Sequence, residues 1–198
     1  MMGKLTKRRG VLSALAFLCP VGMVQADVSI ATARGSDSEV EVQEQLNRIV
    51  TGFDLDEWTF THTVIIDERS IPHSHPVLTL NARHADVDRL LSTYIHEQLH
   101  WYLAASRERT QAAIAELRTV YPEVPVGGSE GARDAESTYL HLVVNYLELQ
   151  GIRRLLGDAR AEDVFEYWAG DHYTWIYATV LKDEARIANI VHAYDLAR

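Results

Sequence analysis

The stretch Tyr94-Ile95-His96-Glu97-Gln98-Leu99-His100-Trp101-Tyr102 organises this chain of 198 residues. Between Asp88 and Arg107, residues Leu90, Leu91, Tyr94, Ile95, Leu99, Trp101, Tyr102 and Leu103 cover most of the circumference of a helix, and a helix that is apolar nearly all round is a buried one. What remains is a narrow polar slot of Thr93, His96, Glu97 and His100, with Arg89 and Arg107 at its ends. The four-residue offset turns His96 and His100 to one side, one turn apart, so both imidazoles can reach a single metal ion. Glu97 lies about 100° further round. It can miss the ion yet touch a water beside it, which is the place of a general base. Buried polar groups without partners are costly, and this favours a metal in the slot. The competing reading is a solvated stripe on a half-buried helix, consistent with the arginines in line with it.

Outward from this helix, the pattern predicts a mainly helical α+β domain with a small N-terminal β-hairpin or sheet. Ser36-Asp37-Ser38-Glu39 has the spacing of a capping box, and Val40, Val42, Leu46, Ile49 and Val50 give the following helix one apolar face. Thr59 to Asp67 and Pro76 to Asn81 read as two strands, and the two prolines of Ile71-Pro72-His73-Ser74-His75-Pro76 read as the turn of a hairpin between them. The His-Glu helix is predicted from Val87 to about Thr119. Beyond a Pro- and Gly-rich loop, a second long helix is predicted from Ala132 to Leu156, stopped by Gly157. A shorter helix follows over Ala161 to Ala169, and a last one over His172 to Tyr194 with Asp171 as its N-cap.

The His96-Glu97-Gln98-Leu99-His100 arrangement resembles that of the zinc metallopeptidases called zincins, as does the order of a small sheet before the metal-binding helix. The resemblance implies Zn²⁺ held by His96 and His100, Glu97 as general base, and a peptide or protein substrate. It also implies that a strand edge pairs with an extended peptide. A catalytic zinc takes three protein ligands, and the second long helix offers Glu130, Glu136, His141 and Glu148. If the two long helices run antiparallel, His100 faces residues near 150 and Glu148 is nearest; an earlier end to the first helix favours His141 instead. Seven residues, roughly 10 Å, separate those two, so one ligates and the other supports a ligand or moves a proton. In the gluzincin branch the third ligand is a glutamate on a downstream helix, which Glu148 matches, although Ile152 stands where that branch often has another carboxylate. Arg107 lies close to where the metzincin branch needs its third histidine and glycine.

Asp171-His172-Tyr173 is the other constellation. His172 at a helix start can stabilise the negative charge that hydrolysis builds on a carbonyl oxygen; the alternative is that Asp171 caps, His172 is exposed and the aromatics are core. His62, His73, His75, His84 and His192 read as structural or solvent-exposed.

Residues 1–26 read as a cleaved export signal, with Lys4, Lys7, Arg8 and Arg9 before the apolar Val11 to Val24 and small residues at Val24 and Ala26. Arg8-Arg9-Gly10-Val11-Leu12 resembles a twin-arginine signal, so the chain is expected to be periplasmic or secreted, with residues 27–198 as a single domain. The only cysteine, Cys19, lies inside the signal, so the mature chain has no thiol for a disulfide or a metal. Four of the 19 Lys+Arg and none of the 28 Asp+Glu lie there too, leaving 15 basic against 28 acidic residues, a net charge of −13. Such a surface disfavours nucleic acid and anionic lipid. No nucleic-acid partner and no stable membrane insertion are therefore expected. The leading function is an exported zinc-dependent hydrolase, most simply a metallopeptidase in which Glu97 takes the proton of a zinc-activated water. The alternative is a non-catalytic periplasmic metal-binding or helical interaction protein.

Overall fold

A computed structural model describes residues 27–198; the expected export signal, with Cys19 and the paired arginines, lies outside the described residues. The chain is mainly helical with a small sheet: β1 (Ser29–Thr32), α1 (Asp37–Gly52), β2 (Thr63–Ile66), β3 (Leu78–Leu80), α2 (Val87–Ala105), α3 (Arg107–Val120), α4 (Ala135–Leu156), α5 (Asp158–Ala169), α6 (Thr174–Lys182) and α7 (Glu184–Ala193). Among the described residues no helix is long and apolar enough to cross a membrane.

The sheet is not a hairpin. Its order is β1-β2-β3 and both pairings are parallel, with Ile30 beside Val64 and Ile65 beside Thr79. The prolines of residues 71–76 suggested a turn, but Asp67 to Val77 is far longer than the two to five residues of a hairpin loop, and it carries the chain back so that β3 starts alongside β2. Val64, Ile66, Leu78 and Leu80 are fully buried. Glu39 of α1 ties this end together: its buried carboxylate accepts from the backbone N–H groups of Arg34, Gly35 and Glu68. Ser36 caps α1, its hydroxyl accepting from the N–H of Glu39, as the capping box predicts.

α4 is the central helix. It packs against α2, α3, α5, α6 and α7, and its residues from Leu142 to Leu149 are all buried. Asp134 caps it by accepting from the N–H of Ser137, and Gly157, at φ 83°, ends it, a backbone conformation that glycine adopts without steric cost. At Gly151 a Cβ would lie 3.1 Å from the ring of Trp58, so this glycine lets the buried indole sit against the helix backbone.

Two predicted helices are broken. The first stops at Ala105 and restarts at Arg107, where the Thr110 hydroxyl turns back onto the carbonyls of Leu103 and Ser106, both at 3.0 Å, and gives the Leu103 carbonyl at the bend a partner. The last is divided at Asp183 into α6 and α7. Asp171 does not cap α6. The residue before that helix is Tyr173, in the left-handed region at φ 49°, where a bulky residue is a genuine outlier.

Candidate metal centre

α2 and α4 run antiparallel side by side, since Ser92 and His96 reach Glu148 while the later residue His100 stands against the earlier residue His141. His96, His100 and His141 each offer one ring nitrogen, and these three atoms lie within 4.8 Å of one another, so the group can hold a metal ion. The ring centroids are 5.1 Å apart for His96 and His100, 5.4 Å for His96 and His141, and 5.0 Å for His100 and His141.

The surroundings choose the tautomers. His96 Nδ1 is 2.9 Å from the Glu148 carboxylate, and His141 Nδ1 is 2.6 Å from the carbonyl oxygen of Ser137. Both acceptors require N–H at Nδ1, which leaves the Nε2 lone pair of each ring for a cation. Burial, and then the nearby His96, hold His141 down to about 3. The same two causes hold His100 well below its ordinary value. Both rings are therefore neutral at pH 7, the form in which imidazole ligates a metal. Burial pushes His96 down too, but the hydrogen bond and charge of Glu148 outweigh it and raise the net value.

Glu148 thus stands behind one of the three candidate ligands. Its fully buried carboxylate accepts from Ser92 Oγ, from His96 Nδ1 and, at 3.4 Å, from the Tyr177 hydroxyl. Ser92 accepts in turn from Trp168 Nε1 at 3.0 Å. A carboxylate on the far nitrogen of a ligating histidine orients the ring and raises its basicity. Of the two candidates for third ligand, the structure brings His141 to His96 and His100 and puts Glu148 in the supporting place. The reason is the early end of α2, which makes His100 face a residue nearer the start of α4. Glu130 is exposed in the loop, and Glu136 pairs with Arg118.

The three histidines open onto a pocket of about 850 Å³ that also contains Glu97, Glu148, His172, Tyr173 and Tyr177, a size within the range of small-molecule sites. Burial raises the Glu97 carboxyl to about 7 against the lowering charge of His96 and His73. His172 Nδ1 is 2.9 Å from Asp171, whose carboxylate also takes the Arg83 guanidinium. The Arg83 hydrogen bond is the main reason that Asp171 is lowered to about 2. Asp171 thereby fixes N–H at Nδ1 of His172, and burial keeps that ring's pKa down. The Tyr173 ring lies 4.6 Å from that of His141. Its hydroxyl stays protonated, because burial and the Glu97 charge push its pKa up.

Ser92, Trp168 and Arg83 were not singled out in the sequence, whereas Tyr177 belongs to the aromatic run after His172. A serine one turn before His96 was the available signal for the first; the other two come from elements whose packing no local pattern reveals. His73, His75 and His84, read as structural or exposed, line the pocket. His62 and His192 are exposed. No protein-family model, no curated protein and no solved structure matches this chain.

Proposed function

We propose that the protein is a zinc-dependent hydrolase acting on peptide bonds, as the resemblance of His96-Glu97-Gln98-Leu99-His100 to the zincins implies. The observation that carries this reading is geometric: the buried carboxyl of Glu97 lines the same pocket as three imidazoles whose ring nitrogens lie within 4.8 Å of one another. His96, His100 and His141 would hold the ion, and an all-imidazole set suits Zn²⁺. When bound, zinc supplies Lewis-acid polarisation and a water acidified to about pKa 7. Three protein ligands rather than four are what a catalytic site, as opposed to a structural one, uses.

The chain's own groups divide the proton work. Glu97 accepts a proton from the attacking water and passes it to the leaving amine. Neutral His172 presents Nε2 as an acceptor, because Asp171 holds its proton at Nδ1, and it becomes a donor only after taking up a proton. The donor role towards a developing oxyanion therefore falls to the Tyr173 hydroxyl. The left-handed backbone of Tyr173 fits such a role, since strained conformations of this kind cluster at functional sites.

The test compares zinc-loaded wild type with Glu97→Gln on a peptide library. Zinc content is expected to be equal in the two and hydrolysis to fall about 10²-fold or more in the variant, the scale of general-base catalysis. Bound zinc without hydrolysis in the wild type would replace this reading by the non-catalytic metal-binding one.

A further inference from the structure

We infer that the site takes compact peptides, held by their ends and side chains, and does not take the interior of an extended chain as an added strand. This rests on the hydrolase reading and names its substrate class. An extended substrate needs a free strand edge, whose main-chain groups provide the binding. Successive residues of a strand direct their backbone groups to opposite sides, so in the three-residue β3 only Thr79 faces outward, while Leu78 and Leu80 face β2. Thr79 is already used. His73 N–H donates to its carbonyl at 3.0 Å, and its own N–H donates to the His73 carbonyl at 2.8 Å, an antiparallel bridge within the chain. At the other edge of the sheet, the side chain of Gln43 donates to the outward carbonyl of Ile30 at 2.7 Å.

The segment that covers β3 stands between the sheet and the metal centre. Ile71 to His75 line the pocket, and none of Leu78, Thr79 and Leu80 does. The segment is fastened to α2 directly after His100: Trp101 Nε1 donates to the Ser74 carbonyl at 2.8 Å, and the His75 ring stacks on the Trp101 indole at 4.3 Å. Nor does it replace the strand edge it hides. Pro72 has no N–H, the Ile71 carbonyl accepts from His73 Nδ1 at 2.9 Å, and the Ser74 carbonyl is taken by Trp101. On the side away from Thr79 only the Pro72 carbonyl and the Ser74 N–H are left, enough for one substrate residue and too few for a ladder. Recognition then falls to groups lining the pocket.

The experiment uses zinc-loaded wild-type protein and two synthetic libraries, one of tetrapeptides and one in which the same tetrapeptides sit at the centre of about twenty residues. Cleavage is read by mass spectrometry. The tetrapeptides are expected to be cleaved with a kcat/KM at least tenfold higher than the embedded sequences. In Trp101→Phe, which keeps a ring for His75 but loses the N–H to Ser74, that preference is expected to narrow several-fold, with zinc affinity unchanged. Embedded sequences cleaved as fast as free ones, or casein cut throughout its interior, would overturn the inference and leave the hydrolase reading intact. Cleavage of neither library would remove the hydrolase reading, and this inference with it.

Discussion

At the scale of single residues, the site turns on a difference between touching an ion and touching a ligand. His141 has a ring nitrogen among those of His96 and His100, whereas Glu148 reaches the far side of the His96 ring. We therefore expect Glu148→Gln to weaken zinc about 10 to 100-fold, the usual consequence of losing an outer partner, and His141→Ala to weaken it well beyond that range; competition titration against a chromogenic chelator would read both. The reverse order would make the carboxylate the ligand. His96, Glu97 and His100 were legible in the sequence because one helix turn places them together. The choice between His141 and Glu148 was not, because it depends on where a different helix stops. Asp171 carries a second residue-scale prediction. Its pKa is about 2 in the folded chain against an ordinary 3.8. Between those values the unfolded chain binds more protons, so the pairing with Arg83 stabilises fully above about pH 4 and is lost as pH falls towards 2. Asp171→Asn should accordingly melt below wild type at pH 6, and the gap should close by pH 2; a gap independent of pH would mean that charge is not what Asp171 contributes.

The elements show why the predicted pattern was right in kind and wrong in extent. Periodicity found the α2, α4 and α5 segments because their apolar faces repeat, and it ran α2 into α3 because Ser106 is neither glycine nor proline. At the break a side chain four residues later, the Thr110 hydroxyl, bonds the Leu103 and Ser106 carbonyls, and no window reading of apolar positions registers such a bond. The sheet failed in a related way: the prolines at 72 and 76 mark a change of direction, but not whether the chain returns beside β2 running up or down. The Thr110 bond can be weighed directly. Thr110→Val keeps the shape and leaves the buried Leu103 carbonyl without its partner, at a cost of about 1–3 kcal/mol, to be measured by urea denaturation with zinc chelated. A loss below about 0.5 kcal/mol would mean that the bend at Ser106 is held by packing alone, and that the early end of α2, which sets His100 against His141, has another cause.

For the molecule as a whole, the two helices that carry the candidate ligands are also those that hold the core together. α4 touches most of the helical layer, α2 joins that layer to the sheet, and His96 and His100 from one meet His141 from the other. An ion held there cross-links the two central elements of the fold. The unfolded chain has no such preformed site, so binding to the folded state adds to global stability as RT ln(1 + [L]/Kd), about 4 kcal/mol at a thousandfold excess over Kd. For a domain of this length, one kcal/mol shifts Tm by roughly 2 to 4 °C. Saturating zinc is therefore expected to raise Tm by about 10 °C in the wild type, with a break at one equivalent in a titration followed by calorimetry, and the rise should be largely lost in His100→Ala and His141→Ala. Glu97→Gln, which leaves all three ligands in place, should keep it. A rise of equal size in all four proteins would assign the zinc to His73 and His75 on the pocket wall rather than to the buried centre.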